Sequence, residues 1–159
     1  MKRRLVLRVE EKPRAADRRG VHRRLRAFNE ARVGRPVSPQ EFSVFVRDAD
    51  GTIVGGLNAL TYWDWRHVDH LWVDDGLRGH GWGRRLLAAA ERIGRDRGCR
   101  GVWLDTMSFQ APGFYRHMGY REFGRLDEHP AGQSLHFFWK SLAVKAQPRA
   151  RSRTPARRR

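Results

Sequence analysis

The chain has 159 residues, 40% of them apolar, with six Trp and eight Phe. That suffices for one ordinary folded domain, and no run of about 18 uncharged apolar residues offers a membrane-spanning helix. The formal charge is +16, from 33 Lys and Arg against 17 Asp and Glu, which brings nucleic acid into consideration as a partner. Six of the arginines fall in residues 146–159, AQPRARSRTPARRR, which carry no acid and almost nothing to bury. This reads as a disordered tail after a domain at 1–145, able to make weak nucleic-acid contacts. The start, MKRRLVLRVEEK, is broken by Arg8 and lacks a small-residue cleavage site, so it does not read as a signal peptide. Cys99 is the only cysteine; no internal disulfide is possible, in keeping with a cytoplasmic location.

Residues 4–10, RLVLRVE, alternate well enough for a first strand that Pro13 ends. From Ala15 to Ala31 the period changes, and Val21, Leu25 and Phe28 form one apolar stripe on an arginine-rich helix. VGRPVSPQ breaks structure, and EFSVFVRDADGTIVGGLNAL reads as a hairpin turning at Asp50-Gly51, its second arm continuing toward Trp65. Gly55 and Gly56 in that arm predict a bulge or a close approach. A strand at 68–73, a glycine-rich turn and a helix over 82–97 follow, with Leu86, Leu87, Ala90 and Ile93 on one side. GVWLDTM, 101–107, reads as a buried strand, and APGFYRHMG as a short helix with Pro112 in its first turn and Gly119 closing it. YREFGRL and SLHFFWKSL complete the order β-α-β-β-β-α-β-α-β-β. That order predicts an α+β fold with a mixed, mostly antiparallel sheet flanked by helices.

The turn carries the chemistry. In LRGHGWGRR, glycines stand where the backbone bends sharply, and the next helix opens with unpaired N–H groups aimed at the same point. Consecutive amides at a helix N-terminus attract anions, so a phosphate or diphosphate is the natural ligand, and Arg78, Arg84 and Arg85 strengthen the field. The spacing fits neither a dinucleotide fingerprint nor a P-loop: no third glycine follows Gly81 and Gly83 at the required place, and the turn holds no lysine.

What it does fit is RxxGxG, formed by Arg78, Gly81 and Gly83 after LWVDD, with FYxxxGY downstream at Phe114, Tyr115, Gly119 and Tyr120. The chain from about residue 3 to 143 thereby resembles the GNAT superfamily of N-acetyltransferases. The resemblance implies acetyl-CoA as acetyl donor and direct transfer to a primary amine in a ternary complex. It implies that the strands at 68–73 and 101–107 splay apart, and that Leu71, Trp72 and Val73 pair with the cofactor's arm as an added strand. Gly79, His80, Gly81, Trp82, Gly83 and Arg84 would hold the diphosphate. Arg78 would either contact phosphate or cap the turn. Ser108 stands where many members place an asparagine that touches the cofactor.

Tyr115 occupies the position of the tyrosine that protonates the leaving thiolate in many relatives. Asp69 is the candidate base; in a regular strand it would share the face of Leu71 and Val73, and His70, His67, Asp64 and His117 are alternatives. A metal pair of His67 and His70 is disfavoured, since i and i+3 on a regular strand face opposite ways. The acceptor is a small-molecule or peptide amine, its site drawn from the first helix, TYWDWRH and DEHPAGQ, with Tyr62, Trp63 and Trp65 available to stack on it. No membrane partner is expected; a homodimer is compatible with the sequence, which leaves oligomeric state open. Two competing readings are a basic nucleic-acid- or ribosome-associated protein on this fold without catalysis, and a non-catalytic acyl-CoA sensor.

Overall fold

The computed structural model describes residues 5–142, so the tail at 146–159 lies outside the described residues. Contacts divide the chain into two units, one ending at Ser38 and one beginning at Pro39. The first is built on α1, Ala15–Val33, close to the span its periodicity predicts. Gly34 ends the helix at φ +74°, its N–H bonded to the Glu30 carbonyl. The Glu30 carboxylate accepts from Arg26 Nε at 2.9 Å and from the Val37 N–H at 2.7 Å, tying the proline-rich break back to the helix. Those two hydrogen bonds hold the carboxyl below the usual range.

Residues 5–10, expected as a first strand, are irregular. A strand exists only through hydrogen bonds to a neighbouring edge. Alternation in RLVLRVE indicates which side chains could share a face, but it supplies no edge to pair with.

The second unit is a six-stranded sheet: β1 Gln40–Arg47, β2 Ile53–Tyr62, β3 Trp65–Val73, β4 Gly101–Met107, β5 Arg121–Asp127 and β6 Ser134–Ser141. Their order in space is β1-β2-β3-β4-β6-β5. Only β3 and β4 run parallel; the other pairs are antiparallel. The parallel pair is joined through α2, Trp82–Asp96, the crossover that parallel neighbours require. The second hairpin arm stops earlier than expected: the chain reverses at Trp63-Asp64, with Trp63 at φ +50°, and β3 begins at Trp65. Gly55 and Gly56 mark a close approach. A Cβ on Gly56 would sit 3.0 Å from Phe45 Cδ1, and one on Gly55 3.4 Å from the Trp72 carbonyl oxygen.

Helix α2 and the short α3, Pro112–His117, cover one face of this sheet. Leu86, Leu87 and Ala90 of α2 pack on Leu57, Ala59, Val68, Val102, Leu104 and Phe138, and Cys99 is buried with them. Gly94 lets α2 approach closely, since a Cβ there would lie 2.6 Å from Leu142 Cδ1. Glu91 is buried on the same stripe and meets Lys140 Nζ of β6 at 2.8 Å, a paired charge across the layer. Leu87→Ala is expected to lower stability by about 2–5 kcal/mol through lost burial and a residual cavity. Denaturant titration of both proteins, with unchanged slopes, checks it.

Candidate active site

The site begins where the parallel pair comes apart. β3 pairs with β4 only from Trp65–Val68 against Gly101–Leu104; beyond that the strands diverge and a gap opens through the sheet. At the same point β3 carries a bulge: Ala59 opposes Val68 and Asn58 opposes His70, which leaves Asp69 as the extra residue. The bulge reverses the alternation. Arg66 and Val68 are buried before it, Leu71 packs against the core and Val73 is buried after it, while Asp69 and His70 are exposed. Asp69 therefore does not share the face of Leu71 and Val73, as regular alternation predicts, but turns toward His67 and His70, at 3.9 and 3.3 Å. The same shift brings His67 and His70 onto one side, contrary to the expectation that they face opposite ways. No group of three or more metal-ligating side chains occurs among the described residues.

Past the bulge, the Asp74 N–H bonds the Val54 carbonyl of β2. Strand alternation then points the amides of Val73 and Leu71 away from β2 and into the gap. Trp72 lies between them, half exposed. The turn that follows is locked locally. Asp74 accepts from the Gly76 N–H at 3.0 Å, and Arg78 reaches back to the Val73 carbonyl at 3.2 Å and to Asp75 at 2.7 Å. Of the two roles open to Arg78, capping the turn is the one these contacts serve.

Gly79 and Gly81 both adopt left-handed backbone, φ +79° and +82°, and a Cβ at either would meet nothing within 4 Å. The conformation, rather than crowding, demands glycine here. Gly81 is the N-cap of α2 with no side chain capping it, and the first helical hydrogen bond runs from the Arg85 N–H to the Gly81 carbonyl. The amides of Trp82, Gly83 and Arg84 thus have no intrahelical acceptor and project from the positive end of the helix dipole. At Gly83 a Cβ would lie 3.5 Å from Phe114, in ordinary van der Waals contact. This cradle fits a diphosphate.

Gap and cradle form one cleft of about 960 Å³, within the range of small-ligand sites. Its lining includes Asp69, His70, Leu71, Trp72, Val73, Arg78, Gly79, Gly81, Trp82, Gly83, Arg84 and Tyr115. His80 and Ser108 are outside it. His80 turns its ring to the Arg78 carbonyl at 2.9 Å. Ser108 is engaged with the β5–β6 hairpin, its Oγ donating to Gln133 at 2.6 Å and accepting from the Ser134 N–H at 3.1 Å.

The cleft also holds Asp105, Phe109 and Gln110, which the sequence reading did not select. Gln110 closes the end of β4 by accepting from Thr106 Oγ1 and the Met107 N–H. Asp105 lies 3.5 Å from His67 Nε2. Its visible signal was alternation: Val102, Leu104 and Thr106 are buried, so Trp103 and Asp105 turn the other way. Tyr115 is buried at the inner end, its ring against Phe114, Tyr120 and Phe138. Burial, and secondarily the charge of Asp105, push its hydroxyl up to about 12.

A mixed sheet that parts beside an amide cradle defines a class: an acyltransferase that draws its acyl group from a coenzyme A thioester. The sequence profile of the acetyltransferase (GNAT) family matches residues 5–120, and the chain belongs to that family. It is 40% identical over 119 residues to the blasticidin-S acetyltransferase of Streptomyces morookaense, covering 74% of this chain and 88% of that one. The streptothricin acetyltransferase of Streptomyces lavendulae is 31% identical over 102 residues, covering 59% of this chain and 53% of that one. The crystal structure of an acetyltransferase from Bacillus cereus superposes with TM-score 0.76 at 36% identity, covering 84% of this chain and 97% of that one. This chain is accordingly an acetyl-CoA-dependent N-acetyltransferase.

Gly81→Glu puts a side chain into left-handed backbone and a carboxylate in the cradle. It is expected to abolish the thermal shift given by coenzyme A while circular dichroism stays native-like; a retained shift would show that the diphosphate lies elsewhere.

Proposed function

We propose that the acetyl group passes directly to the primary amine of a small molecule while both substrates are bound, with the reaction centred on the gap between β3 and β4. The carrying observation is that the parted strands put Tyr115, Asp69 and Asp105 on one cleft with the amides of Leu71 and Val73 and the cradle at Gly81–Arg84. Bound acetyl-CoA supplies the thioester. The cradle amides hold its diphosphate, and the amides of Leu71 and Val73 orient its arm by strand addition. The Val73 N–H polarises the thioester carbonyl as negative charge develops on its oxygen.

The chain's own groups then manage the protons. An amine arrives as an ammonium and attacks only when neutral. Asp69, at the bulge and exposed to the cleft, takes that proton directly or through water. The nitrogen–acyl bond forms, the acyl–sulfur bond breaks, and Tyr115 donates its hydroxyl proton to the departing sulfur. The acylated nitrogen gives up its second proton to water, Asp69 releases the one it took, the tyrosine recovers one from solvent, and the net products are the amide, the free thiol and one proton. With its pKa pushed up to about 12, Tyr115 keeps its proton at any working pH and so stands as a hydrogen-bond donor to the sulfur as negative charge develops on it. The names of two relatives, blasticidin-S and streptothricin acetyltransferase, support an antibiotic-like small amine as the acceptor class.

Tyr115→Phe is expected to lower kcat by about 100-fold or more while acetyl-CoA affinity changes little. Thiol-release kinetics and equilibrium binding check the split, and undiminished turnover removes Tyr115 from proton transfer. A second outcome follows from linkage. Tyr115 ionises near 10 when unfolded and near 12 when folded, so its contribution to stability is intact below pH 10 and fades as pH rises to 12. The Phe variant is expected to lose less stability than the parent between pH 10 and 12 in denaturant titrations.

A further inference from the structure

The charge around the gap runs against that of the chain. Although Lys and Arg outnumber Asp and Glu 33 to 17, Asp69 and Asp105 pair only with histidines among the described residues. His67 lies between them, Nδ1 3.9 Å from Asp69 and Nε2 3.5 Å from Asp105. These two carboxylates stand on the sheet face away from α2 and α3. There, a shallow, open apolar surface is lined by Trp65, Trp103, Phe123, Phe137 and Trp139.

The two features are continuous. Trp103 precedes Asp105 by two residues on β4 and shares its face, and Asp105 is directly opposite Phe137 of β6. The His67 ring lies flat on Trp103, centroids 3.8 Å apart at 15°. An aromatic floor thus runs up to a pair of carboxylates, and those carboxylates stand at the gap through which the sheet opens to the cradle side.

We infer that this floor is the acceptor subsite and that the acceptor is a cationic primary amine carrying a planar ring. The inference rests on the N-acetyltransferase reading above. The ring stacks on the Trp103, Phe137 and Trp139 surface, and the ammonium is drawn to Asp69 and Asp105 at the mouth of the gap. An aliphatic floor would accept any apolar chain; five aromatic rings with no aliphatic side chain among them favour flat, polarizable groups. Arg78 and Arg84 line the cradle side of the cleft, so the carboxylate pair is its attractive end for a cation.

Three measurements test this. Thiol release is followed with 2-phenylethylamine and with ethylamine, which offer the same ammonium with and without a ring. The ring is expected to lower KM by about ten-fold or more. Phe123→Ala, at a half-exposed position that leaves folding intact, and Trp139→Leu are both expected to shrink that preference without changing acetyl-CoA affinity. Asp105→Asn is expected to raise KM for both amines. Binding is read separately from turnover by calorimetric titration of 2-phenylethylamine in the presence of coenzyme A; affinity weakened in Trp139→Leu supports the floor and unchanged affinity overturns it.

Thiol release from ethylamine with no gain from the ring, or a ring preference that survives both variants, overturns the inference and leaves the enzymatic reading standing. No thiol release with any amine sinks that reading and this one with it. Dimerisation that disappears in Trp139→Leu and is indifferent to the amine assigns the face to a second copy and overturns the inference.

Discussion

One constraint organises this molecule: two parallel strands that pair for four residues and then part. Beyond Val68 on β3 and Leu104 on β4, the alternate residues that face the other strand, Leu71 and Val73 among them, have no hydrogen-bonding neighbour there. Backbone N–H and C=O groups in the middle of a sheet are costly to leave unpaired, and in the proposed reaction the cofactor's arm pairs with them. The bulge at Asp69 and the turn locked by Asp74 and Arg78 hold the parted strand in place, and α2 begins where that turn ends.

The turn also offers an arginine-rich chain an anion site built from main-chain amides rather than from arginine side chains. Gly79 and Gly81 take up left-handed backbone, and the amides they release point outward from the end of α2. Side-chain guanidiniums are mobile and well hydrated at a surface, whereas main-chain amides at a helix terminus are already oriented. Arg78 is spent on holding the turn and Arg85 lies over the Trp82 ring; Arg84 is the arginine of α2's first turn that lines the cleft. In the proposed reaction, positive potential gathers at the donor end of the slot and negative charge at the acceptor end. That ordering suits an anionic cofactor meeting a cationic amine.

Tyr115 illustrates how burial and the proposed proton transfer are joined. Its ring is part of the core, packed on Phe138 and Tyr120, and the residue also lines the cleft. The apolar surroundings that anchor the ring are the same ones that keep the phenol protonated. Arg66 shows the cost of a buried polar group without such a use. Fully buried, it donates to Thr61 at 2.8 Å and lies over Phe42, and two of its nitrogens have no hydrogen-bond partner among the described residues.

Local pattern alone determined the helical spans of α1 and α2, the Asp50-Gly51 hairpin, the strand at 101–107, the short helix after Pro112, and the glycine turn; the apolar stripe expected on α1 is not buried, since Val21, Leu25 and Phe28 are all more than half exposed. Each depends on side-chain periodicity or on conformations that only certain residues adopt, and such properties are carried by neighbours in sequence. The irregular run at 5–10, the early turn at Trp63, and the bulge that moved Asp69 to the side of His67 were settled by pairing between distant segments. So was the meeting of Asp69 with Asp105, 36 residues later, because only the register of β3 on β4 brings them to the same gap. A strand's alternation is written in its own residues, but where it slips by one, and what it then faces, depends on the partner it pairs with.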